Sequence, residues 1–100
     1  MTAKILIKRK FKKGKRKEII AMLRELRSGA LNQSGYISGE TLTSTEDPQT
    51  MMVIGTWQDM ESWDNWKRNV TRQTLEQMLE TYQEESTEYQ EYKLGAFIEE

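Results

Sequence analysis

Helical stripes set between four segments of strand character predict an α+β chain built on one antiparallel sheet. Three observations carry this reading: a period-2 alternation at the start, a helical stripe directly after it, and a hairpin-length connection in the middle. Ala3 to Lys12 alternates, with Ala3, Ile5, Ile7 and Phe11 on one face and mostly lysine on the other, which predicts a first strand. After Gly14, the residues Ile19, Met22, Leu23, Leu26 and Ala30 fall on one side of an amphipathic helix. Gly29 weakens its last turn, and Asn32 to Gly35 forms the exit loop.

Gly35 to Thr45 is rich in Thr, with Tyr and Ile, and holds one interior charge, Glu40, so a second strand is expected there. Glu46, Asp47 and Pro48 supply a turn, and Met51 to Trp57 follows as a third strand, joined to the second as an antiparallel hairpin by the shortness of the link. Met51, Val53 and Trp57 have one parity and Met52 and Ile54 the other, so both faces of this strand expect cover. Asp59 is placed to cap a short helix with the stripe Met60, Trp63, Trp66 and Val70, and Thr71 a second with Leu75, Met78, Leu79 and Tyr82. Ser86 to Phe97, holding Tyr89, Tyr92, Leu94 and Phe97, predicts the fourth strand.

The order βαββαβ is the split βαβ arrangement of ferredoxin-like domains, a four-stranded antiparallel sheet with its helices on one face. The opposite face would stay bare, although the third strand is apolar there and Leu6 lies between lysines on the first. A second copy packed through a two-fold contact would cover it, so a homodimer is expected.

At 100 residues a single domain over 1–100 is expected, and three Trp, four Tyr and two Phe make the chain too aromatic to be disordered. The net charge of -1 gives no overall field to attract nucleic acid or anionic lipid. Basic residues nevertheless crowd between Lys4 and Lys17, and acidic ones from Glu76 onward. Because the fourth strand of this arrangement lies beside the first, Glu88 and Glu91 can face Lys8, Lys10 or Lys12 as cross-strand pairs, which accounts for part of the asymmetry without a ligand. A nucleic-acid surface would need stacking aromatics among the basic residues, and only Phe11, a core position, is there; no nucleic-acid partner is expected.

The absence of Cys removes disulfides, thiolate nucleophiles and Cys-bound metals, and the absence of His removes imidazole bases and the ligands on which most zinc and haem-iron sites rely. No apolar run approaches the roughly 18 residues of a membrane span, and no signal-peptide pattern opens the sequence. No membrane partner and a cytoplasmic location are therefore expected.

The segments Gly35-Tyr-Ile-Ser-Gly-Glu-Thr-Leu42, Val53-Ile-Gly-Thr-Trp57 and Ser62-Trp-Asp-Asn-Trp66, in this order, resemble the antibiotic biosynthesis monooxygenase (ABM) domain over nearly the whole chain. The resemblance implies a dimeric α+β barrel, made by two sheets packed together, in which each protomer encloses a pocket between sheet and helices. The family includes oxygenases of polycyclic phenols and quinols that use no metal or flavin, haem-degrading enzymes, and members without a known substrate. Against the haem-degrading branch, Trp66 matches the pocket tryptophan. Glu76 stands where that branch has its iron-ligating His, and Ile7 where it has a catalytic Asn, so haem degradation by that route is not expected.

Tyr36, Trp57, Trp63, Trp66, Asn69, Arg72 and Tyr82 sit at strand ends or on the inward stripe of the second helical region and are the candidate cavity residues. An aromatic stripe at helical spacing also reads as ordinary core, and the polar members as a solvated helix face. Three Trp near one helix start suit a pocket for a planar molecule. Oxygenation without a cofactor makes the substrate the electron donor, so a phenol must lose its proton and the anion must be held. Arg72, or secondarily Arg68, would stabilise a phenolate, Asn69 and the Trp66 indole would donate hydrogen bonds, and Glu76 would serve as base. Tyr36, Trp57, Trp63 and Tyr82 would bind the ring. The expected activity is a cofactor-independent monooxygenase acting on an aromatic or quinol-like small molecule; the alternative is a non-catalytic dimeric module that holds a small ligand.

Overall fold

The computed structural model describes residues 1–95. Its elements run β1 (Ala3–Lys10), α1 (Arg16–Leu31), β2 (Tyr36–Thr43), β3 (Thr50–Trp57), α2 (Met60–Lys67), α3 (Val70–Glu80) and β4 (Glu88–Lys93). The strands form one sheet in the order β2-β3-β1-β4, every neighbouring pair antiparallel. This is the ferredoxin-like α+β arrangement expected from the sequence.

Alternation in β1 does what period 2 demands: Ala3, Ile5 and Ile7 are buried beneath the helices and Lys8 is exposed on the other side. Phe11, just past the strand, is also buried and makes an isolated bridge with Gln83. β2 carries a bulge between Tyr36 and Ser38 that bends the strand near the aromatic cluster. β4 is shorter than the Ser86 to Phe97 span, and Phe97 lies outside the described residues.

The second helical region divides as expected, but at a different cap. Asp59 opens α2 by accepting from the Ser62 amide at 2.8 Å. Asn69, not Thr71, opens α3: its Oδ1 accepts from the amides of Thr71 at 2.9 Å and Arg72 at 3.2 Å, while its backbone is extended. The break at Arg68 and Asn69 changes the helical phase. Val70 therefore points to solvent at 76% exposure and Met78 at 48%, whereas Leu75 and Leu79 are buried.

The core joins Ile5, Ile7, Phe11, Ile19, Leu26 and Leu79 to the three tryptophans. On the outer face, Leu6 pairs with Ile54 and Lys8 with Met52, while Leu42 and Tyr92 are exposed toward its edges. Glu88 lies opposite Lys8 there, as the charge pattern suggested. Glu91 does not: it pairs in register with Ile5 and so faces the helices. Among the described residues no helix is long and apolar enough to cross a membrane.

Candidate active site

Between the inner face of the sheet and the helices lies a cavity of about 260 Å3. Gly39 of β2 and Gly55 of β3 are register partners and both line its floor. A Cβ on Gly39 would stand 2.6 Å from the Tyr36 hydroxyl, and one on Gly55 3.3 Å from Trp57 Nε1. Without side chains at these positions, the rings of Tyr36 and Trp57 lie against bare backbone. Leu23, Leu26 and Ala30 of α1 roof the space, and Trp63 and Trp66 of α2 wall it.

The aromatic rings form a row across the sheet. Tyr36 meets Trp57 edge to face at 5.1 Å between centroids, Trp57 meets Trp63 at 6.0 Å, and Trp63 meets Tyr89 at 6.2 Å. Each step is within the range of favourable ring contact, so the row is a rigid wall.

The buried charged groups of the lining, Arg9, Arg72 and Glu76, form one cluster. Arg9 Nη2 donates to Glu76 Oε1, and Arg72 Nη2 lies 3.7 Å from the same oxygen. Arg72 Nη2 donates to the Tyr89 hydroxyl at 2.9 Å, which in turn donates to Glu76 Oε2 at 3.3 Å. The Arg72 guanidinium also stacks on Trp63 at 5.2 Å and on Tyr89 at 5.5 Å. Arg9, Arg72 and Glu76 are all buried, so this is an ion-paired cluster inside the fold.

Outside the cluster, Trp63 Nε1 donates to Glu91 Oε2 at 2.5 Å, and Lys67 Nζ reaches the same oxygen at 3.2 Å. The hydrogen bond from Trp63 holds the Glu91 carboxyl below its ordinary range, with Lys67 adding to the effect against a smaller opposition from burial. That indole is therefore committed to the protein.

Of the eight candidates, Tyr36, Trp57, Trp63, Trp66, Arg72 and Glu76 line the cavity together. Asn69 does not, because its carboxamide oxygen is used as the α3 cap. Tyr82 does not either; it follows the end of α3 and packs against the core from there. Arg68 is exposed and bonds Asn65 at 3.3 Å. Ile7 and Glu76, the positions that differ from the haem-degrading pattern, both fall on the cavity wall beside Trp66. Glu76 is bound to Arg9 and Tyr89, which does not fit a ligand for haem iron. Two members of the polar end, Arg9 and Tyr89, were not foreseen. Strand parity signals both: Arg9 shares the face of Ile5 and Ile7, and Tyr89 is the register partner of Ile7.

A ferredoxin-like sheet roofed by helices over an aromatic cavity lined by arginines defines a class of small α+β domains with a ligand-sized space between sheet and helices. The sequence profile of the family "Antibiotic biosynthesis monooxygenase" matches residues 2–92, and the chain belongs to that family. No curated protein matches the sequence. Among solved structures, a conserved protein from Methanosarcina mazei Go1 superposes with a TM-score of 0.86 at 20% identity, covering 93% of this chain and 92% of its own. SnoaB, a cofactor-independent oxygenase from Streptomyces nogalater, superposes with a TM-score of 0.82 at 11% identity, covering 99% and 98%. At these identities the likeness is one of fold.

Proposed function

We propose that this protein is a cofactor-independent monooxygenase acting on a small aromatic or quinol-like molecule. The observation that carries the reading is a partly open cavity of about 260 Å3 with aromatic walls and a buried Arg9–Glu76–Arg72 cluster in its lining. Family membership and the resemblance in fold to SnoaB, itself a cofactor-independent oxygenase, support the same class of reaction.

In such a reaction the substrate supplies all the electrons. A phenol ring carbon para to the hydroxyl loses its hydrogen and becomes a quinone carbonyl. One atom of dioxygen enters that carbonyl, the other leaves as water, and the four electrons that reduce dioxygen come from the ring. The residues have to bind the ring, hold the phenolate and accept its proton. Trp57, Trp63 and Trp66, with Tyr36, would clamp the ring. Arg72, already fixed by Tyr89 and by stacking on Trp63, would stabilise the oxyanion. Glu76 is the acid on the wall and would take the proton through Oε2, whose bond from Tyr89 is 3.3 Å long.

The same contacts favour a second reading, a dimeric module that binds a small ligand without turnover. Both oxygens of Glu76 are engaged by the protein, and Trp63 Nε1 is committed to Glu91. Oxygen uptake by the pure protein with a panel of 1-naphthols and anthrols that keep a hydrogen para to the hydroxyl separates the two. Uptake above the spontaneous rate, lost in Arg72→Met, is the expected result. Tight binding without uptake would leave the binding module. In either reading a second copy would cover the outer sheet face around Leu6, Met52 and Ile54.

A further inference from the structure

We propose that the cavity is an anion site whose ligand is a planar aromatic carboxylate, its ring between Trp57 and Trp66 and its carboxylate at the Arg9–Arg72 end. This rests on the reading of the cavity as the ligand site and goes beyond it in naming the ligand's charge and size.

Charge is the first argument. Four arginines line the cavity, Arg9, Arg24, Arg27 and Arg72, against one acid, Glu76, in a chain whose net charge is -1. The cavity lining is thus positive although the chain as a whole is not. Arg24 and Arg27 are exposed on α1 at the rim, where they would draw an anion inward. Arg9 and Arg72 are buried, and Glu76 can neutralise one of them, which leaves an uncompensated positive charge within the wall. An unmatched buried charge is costly, and a bound anion would match it.

The second argument is an orphaned donor. Arg9 is 3% exposed, and its Nη2 is committed to Glu76. Its Nε has no partner, and among the described residues it is the one buried side-chain nitrogen or oxygen in that state. A buried N–H left unpaired is costly, and a carboxylate seated beside Arg9 would supply the missing acceptor once the side chain turns toward it. Volume sets the size. About 260 Å3 is below the roughly 300–1,000 Å3 of sites for drug-sized ligands, which points to one or two fused rings.

The test is calorimetric titration of the protein with 2-naphthoate and its neutral isostere 2-naphthamide, repeated on Arg9→Met. The carboxylate is expected to bind at least about tenfold more tightly than the amide, the worth of one charge-assisted hydrogen bond, and Arg9→Met to remove most of that preference. Arg9→Met leaves the Arg72–Glu76 pair balanced, so the fold is expected to persist, with circular dichroism as the check. Should that variant not fold, Arg24→Gln with Arg27→Gln takes its place, and carboxylate affinity is expected to drop and to lose part of its salt dependence. Equal affinity for acid and amide, binding of neither, or an unchanged preference in the folded variants would overturn the proposal. Oxygen uptake is a separate readout. Turnover of neutral 1-naphthols without carboxylate preference would sink this inference and leave the oxygenase reading standing, and carboxylate preference without turnover would do the reverse.

Discussion

Glu91 sits at the end of the aromatic row, where one carboxylate oxygen accepts from Trp63 Nε1 and from Lys67 Nζ. Because these contacts hold its carboxyl below the ordinary value of 4.5, Glu91 adds stability that is in place above that pH and is lost as the pH falls through the lower folded value. Glu91→Gln should therefore be less stable than the parent at neutral pH, and the difference should close on acidification. Urea unfolding followed by tryptophan fluorescence from pH about 7 to about 3 measures it; a gap constant across that range would show that the carboxylate is not the source. Glu91 and Arg9 also mark what reading the sequence overlooked. Glu91 was taken with the charged face of its strand and Arg9 was given no place, yet parity puts both beneath the helices, where Arg9 is tolerated because Glu76 meets it from α3. That partner is 67 residues away and leaves no trace in local pattern.

Helix α1 approaches α2 closely at Gly29, where a Cβ would stand 2.6 Å from Trp66 Cη2. Replacing a helical glycine by alanine ordinarily stabilises by about 1 kcal/mol. Here the overpacking cost of about 1–3 kcal/mol works against a rigid, buried ring and should win. Gly29→Ala is thus expected to be destabilised by about 1 kcal/mol in urea titration, whereas the exposed neighbour Ser28→Ala should be neutral or slightly stabilising. An unchanged or raised stability in Gly29→Ala would mean that Trp66 moves aside freely. From the sequence this glycine looked like a weakness in the last turn; its tertiary reason is the tryptophan on another helix. The cap of α3 shows the same limit, since Asn69 and Thr71 are both good capping residues and the choice between them set whether Val70 and Met78 faced inward.

Across the whole molecule the element order and the sheet were legible because period 2 and period 3.6 are local, and hairpin length fixes one strand pairing. The two-sided apolar pattern of β3 was legible as well: Met51 and Val53 line the cavity while Met52 and Ile54 lie on the outer face. That outer face leads to the dimer expectation. Light scattering should give a mass about twice 11.8 kDa at micromolar concentration, and Ile54→Lys should halve it with the circular dichroism spectrum unchanged. A mass of one chain in the parent would remove the dimer. The cavity itself was legible only in part, because its floor needs Gly39 and Gly55 to fall opposite one another, which register alone decides. The most direct measurement is a crystal structure of the protein soaked with 1-hydroxy-2-naphthoate. The expected density is a ring between Trp57 and Trp66, with its acidic group within hydrogen-bonding distance of Arg9 or Arg72. Density elsewhere, or a space closed by the side chains of Leu23, Met51 and Trp66, would contradict it.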